Sequence, residues 1–160
     1  MANENLITYL NDHLAGAVAA LDLLGRLESA DIDDQRAQAL AELHADIAAD
    51  RQELEALIAR LKIDESRTRQ AMAWIAGRLS HLKLRVDDPE HGALGWLEAF
   101  DALAMGIEGK RALWRALAAA AELEPELVGV DYERLTRRAE DQRARVEAMR
   151  LEAAKKAFTS

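Results

Sequence analysis

Apolar residues recur every third or fourth position along five segments that cover most of this chain, and both prolines fall at joints between segments. That spacing lines one face of a 3.6-residue helix and does not match the two-residue alternation of a half-buried strand. The expected fold is therefore all-α, a four-helix-bundle-like arrangement of about five helices. With 160 residues, half of them apolar, the chain can bury one core without cross-links, so residues 1–160 are expected to form a single helical bundle domain.

The first helix is expected over about 5–28, with Leu6, Leu10, Leu14, Ala17, Leu21 and Leu24 on one face. Its middle is AGAVAA, and small side chains at Ala15, Gly16 and Ala19 predict a close helix crossing. The second helix, about 34–62, opens after capping aspartates (Asp33 or Asp34) and carries the seam Leu40, Leu43, Ile47, Asp50, Leu54, Leu57 and Leu61. Asp50 is its one polar member. The third, capped by Asp64 or Ser66 and running to about 85, would bury Met72, Ile75, Leu79 and Leu82, with Trp74 and Leu84 off the seam. The DDPEHG segment should break it, because Pro89 disfavours a helical Asp88.

The fourth helix, about 90–122, is apolar over most of its circumference, from Leu94 and Trp96 through Phe100, Met105 and Trp114 to Leu117, which suggests a central position. Gly106 and Gly109 would each cost roughly 1 kcal/mol there, offset by close packing against the small residues of the first helix. The last helix, about 131–157, has a weak stripe of Leu135, Ala139, Val146, Met149 and Ala153 and should be the least buried. Two topologies stay open. The helices run simply up and down, or the third crosses over outside a bundle of the other four.

Charge narrows function. The net charge of −8 argues against nucleic acid, whose phosphates an acidic surface repels. From Tyr132 to Ser160 there are nevertheless eight Lys or Arg against five acids, leaving −11 for the remainder. The plain expectation is a basic last helix lying on the chain's own acidic body. Charges interrupt even the most apolar stretch, 93–117, and the N-terminus has no targeting pattern, so no membrane association and a cytoplasmic location are expected. With no cysteine, thiolate metal sites and cysteine nucleophiles are excluded.

Candidate chemistry centres on His13 and Asp50. Counted outward from the joint near Asp31, they lie at one level in an antiparallel pair. Under an up-and-down order His81 and Glu98 or Asp101 would join them, and such a set could bind a transition metal. Spacing opposes this. Di-metal bundles use Glu-x-x-His, but Leu10, Ala41, Arg78 and Asp88 precede His13, His44, His81 and His91 by three. His13 and Asp50 are therefore expected to be a hydrogen-bonded pair that fixes helix register, and His44 to lie on a flank. No phosphate loop or nucleophile elbow is present, so no catalytic residue and no cofactor are expected. The stripe Glu98, Asp101, Glu108, Arg111 and Arg115 should face solvent or the basic last helix.

The segments GIEGKRALWRAL (106–117), the preceding GWLEAFDALAM and the opening YLNDHLAGAVAALDLL resemble a group of uncharacterised bacterial proteins with ferritin-like helical bundles. The resemblance spans most of the chain; it implies the bundle and supplies no activity. The expected function is a non-catalytic structural or interaction role, as a homo-oligomer or with a protein partner, through the flank of the last helix or Trp74 and Leu84. Two alternatives are a metal-binding, oxidase-like bundle using His13 and Asp50, and a carrier whose cavity is lined by Trp96, Phe100 and Trp114.

Overall fold

The computed structural model describes residues 3–79 and 92–159. They form five α-helices and one 3-10 turn, with no strand among the described residues: α1 (Glu4–Glu28), α2 (Asp34–Arg60), α3 (Glu65–Leu79), α4 (Gly92–Ala120) and α5 (Tyr132–Thr159), with the 3-10 turn Pro125–Leu127 between α4 and α5. No helix among them is long and apolar enough to cross a membrane. Expectations placed on His81, Leu82, Leu84, His91 and the break at 87–91 lie outside the described residues, as do the side chains of Ile75 and Leu79.

Local chemistry sets the helix ends. Asn3 caps α1 by accepting from the Leu6 N–H at 2.9 Å, and Asp33 caps α2 by accepting from Arg36 at 2.9 Å. Asp64 accepts from the Ser66 N–H at 2.9 Å at the start of α3. At the end of α2, Lys62 takes a left-handed φ of 55°, which lets its N–H reach the Ala59 carbonyl and the Ile63 N–H reach that of Ile58. Ile63 is thereby folded back under the core. Gly129, at φ 95°, turns the chain into α5, and Arg60 fastens this corner by donating to the Glu126 carbonyl at 2.8 Å.

Among the described residues, α3 lies outside the core that the other four helices share. α1 pairs with α2 and α4 with α5, while α3 packs on α1. Thr68 donates to the buried Asn11 at 2.7 Å, and Arg67 pairs with Glu4, tying α3 to the start of α1. The other four helices enclose a common core in two clusters. One joins Leu24, Leu27, Leu40, Leu43, Ile47, Phe100, Leu103, Ile107 and Val146. The other joins Leu10, Leu14, Leu54, Leu57, Leu113, Trp114, Leu117 and Leu135. The order of residues in the two clusters makes each hairpin antiparallel.

α5 is not the least buried helix: among the described residues that is α3, which has no buried position, although α5 keeps more exposed positions than α1, α2 or α4. Its one buried face packs along α4 more extensively than any other pair does, and Leu135, Ala139, Gln142 and Val146 are fully enclosed. Small Ala139 and Ala153 let α4 come close, a signal weaker by hydrophobicity count than by size. Its basic residues lie on the acidic body: Arg134 on Glu53 at 2.8 Å, Arg150 on Asp101 at 3.2 Å, and Arg145 on Asp46. The α4 stripe behaves likewise, with Arg111 bonded to Glu108 and reaching Glu140. α4 is not enclosed all round, since Met105 is 72% exposed.

Candidate functional site

Between the two apolar clusters lies a polar layer. Asp50 sits between Ile47 and Leu54 on α2, Lys110 between Ile107 and Leu113 on α4, and Arg138 and Gln142 between Leu135 and Val146 on α5. Each occupies the inward face of its helix, so burial by the flanking apolar residues forces these groups to satisfy one another. Lys110 Nζ donates to Asp50 Oδ2 at 2.5 Å and also to Gln142 Oε1. Gln142 Nε2 donates to the same Asp50 oxygen at 2.8 Å. Arg138 Nε donates to Asp50 Oδ1 at 2.6 Å; its Nη2 stands 2.5 Å from that oxygen but off the hydrogen-bond direction. The Asp50 side chain is 1% exposed.

At the level where α2, α4 and α5 supply polar groups, α1 supplies Gly16, Ala17 and Ala20. No side chain among the described residues fills the space these residues leave. A cavity of about 230 Å³ opens between α1 and α4 with α2 behind it, lined mostly by apolar atoms. Asp12, His13, Ile47, Asp50, Leu54, Lys110 and Trp114 contribute to its walls. A Cβ built on Gly16, Gly106 or Gly109 meets no atom within 4 Å, so the glycines are not closely packed as expected, although Ala15 beside Gly16 is buried. The glycines border open space instead. Trp114 is buried, and its indole N–H has no acceptor among the described residues.

His13 and Asp50 do reach one level and line the same cavity, but the register pair expected between them does not form. Asp50 is taken by Lys110, Arg138 and Gln142, and His13 rests edge-on against Tyr9, ring centroids 4.6 Å apart. Burial pushes the His13 imidazole below the ordinary histidine range, against the opposing pull of Asp12. Burial likewise lowers the Lys110 ammonium from the usual lysine range, with Asp50 pulling the other way. A carboxylate already accepting from two cations and an amide has few lone pairs left for a metal. Among the described residues no three His, Cys, Asp or Glu side chains converge.

His44 lies on the flank of α2 as expected, its Nδ1 3.0 Å from Glu28. Of the three aromatics expected around a cavity, only Trp114 lines it. Trp96 and Phe100 pack together at 5.6 Å between centroids in the other core cluster, with Arg36 over the Trp96 ring. Sequence reading missed Lys110, Arg138 and Gln142. Gln142 continues the α5 stripe at the spacing of Ala139 and Val146, and Lys110 falls three residues from both Ile107 and Leu113, so both could have been flagged as polar seam members. Comparison with protein-family models, curated proteins and solved structures finds no match.

Proposed function

We propose that this protein is a non-catalytic helical bundle that holds a small, mainly apolar molecule between α1 and α4. One observation carries the reading: the cavity of about 230 Å³ lies where three glycines and two alanines leave space between the helices. An apolar cavity of roughly 150 Å³ suffices to take up benzene, so this one has room for a larger guest. Helix glycines that neither turn the chain nor allow close packing cost stability, and a binding site accounts for that cost. Two antiparallel hairpins with α3 outside support a ferritin-like arrangement, while the cation-occupied Asp50 weighs against oxidase-like use of it.

Titration with the neutral probe indole, followed by amide resonances, tests this. Shifts should saturate and concentrate at Gly16, Gly106 and Gly109, and Gly109→Leu should abolish them. Shifts scattered over the surface, or none up to the solubility of indole, would refute the reading.

A second reading, assembly with a copy or partner, draws on the outer face of α5. Ala144, Ala148, Leu151 and Phe158 recur there at steps of four, three and seven residues, with Leu151 47% and Phe158 73% exposed. Concentration-dependent sedimentation that Phe158→Glu removes would support it.

A further inference from the structure

The polar layer carries unequal charge. One carboxylate, Asp50, serves two cations, Lys110 and Arg138, and the fourth member, Gln142, is neutral. A guanidinium does not give up its proton in a protein, so Arg138 keeps its share of Asp50 whatever Lys110 does. Lys110 has three N–H groups; two are used, on Asp50 and Gln142, and the third has no partner among the described residues. Lys110 also forms part of the cavity wall. An unpaired donor and a surplus positive charge therefore stand beside an apolar space large enough for a guest.

We propose that the guest is an apolar molecule bearing one carboxylate, with the carboxylate held by Lys110. The inference rests on the cavity being a binding site. A carboxylate supplies the missing acceptor and balances the layer, and its apolar remainder matches the walls. A phosphate would bring up to two charges and three acceptor oxygens to a place with one spare donor. The other charged groups on the walls leave Lys110 as the attractive one. Arg51 has its charge matched by Glu55, which accepts its Nε–H at 2.8 Å, Asp12 is solvent-exposed and screened, and Asp50 already has its partners.

The test compares 3-phenylpropionate with 3-phenylpropanamide, which share shape and differ in charge, by calorimetry on wild type and Lys110→Met. A hydrogen bond to a charged group gives the carboxylate about a tenfold or greater advantage on wild type. Lys110→Met should erase the advantage and leave amide affinity within about twofold, because Arg138 still neutralises Asp50. Should that variant fail to fold, the Lys110 ε-methylene resonance of wild type decides: propionate shifts it and the amide does not. Binding of neither compound overturns the cavity reading itself. Equal binding of the two overturns only the choice of a carboxylate. A preference that survives Lys110→Met, or an ε-methylene that propionate leaves unmoved, overturns the assignment to Lys110.

Discussion

The two sides of α4 behave in opposite ways. Toward α5 it meets small residues and closes on them, with Ala139 fully enclosed; toward α1 it also meets small residues, yet there a cavity remains beside them. Small side chains permit close approach and do not compel it. What differs is the rest of the interface. α4 and α5 are neighbours in sequence, joined through a tight corner in which Tyr132 donates to the Leu127 carbonyl at 2.8 Å, and ion pairs cross between them. Along α1 and α4 the large residues sit above and below this level, Leu24 and Phe100 in one core cluster and Leu14 and Trp114 in the other.

The largest expected effect tests the layer that anchors the closed side. Asp50→Ala strands two part-buried cations and should cost about 3 kcal/mol in urea unfolding. Adding Lys110→Met and Arg138→Leu should recover most of that loss, since an apolar layer replaces an unpaired one. If the triple variant is as unstable as the single, charge is not what the layer contributes.

Next comes a matched pair of enlargements. Ala139→Leu, on the closed side, should destabilise by about 1–3 kcal/mol through overpacking. Ala17→Leu, which lines the cavity, should instead raise stability by about 1 kcal/mol. Equal and unfavourable effects would erase the contrast between the two faces. Smaller still, Gly109→Ala should add roughly 0.8 kcal/mol, helix propensity gained with no clash to offset it.

The smallest effect concerns the exposed rim of α5. Hydrogen bonds from Arg150, and then from Arg143, hold the Glu147 carboxyl at about 2, against partial desolvation. A depressed carboxyl stabilises the fold above its ordinary value of 4.5 and loses that contribution as pH falls toward 2. Glu147→Gln should therefore lower Tm slightly at pH 7 and not at pH 2, with the difference shrinking in salt. A Tm difference independent of pH would show that packing, not charge, is at stake.

Much of the architecture was readable from residue order alone. The seams of α1 and α2, the caps Asp33 and Asp64 and the corner at Pro125 follow from local propensity and periodicity, which act within a few residues. Asp50 was legible as a polar seam member for the same reason. Its partners were not. Seam position says that Asp50, Lys110 and Gln142 point inward, but which carboxylate meets which cation depends on which helices are neighbours and at what height, a matter of long-range packing. The expected pair with His13 failed on that point, because Lys110 and Arg138 reach Asp50 and His13 does not.

Residue order by itself determined five helical segments, the caps of α2 and α3 and Asp50 as an inward polar position, since helix formation and burial pattern depend on neighbours in sequence. Only the tertiary structure decided that α3 lies outside, that Asp50 joins α4 and α5, and that Gly16 and Gly109 border a cavity. A glycine's space is closed or left open by large side chains several turns away, on other helices, and no local pattern records their height.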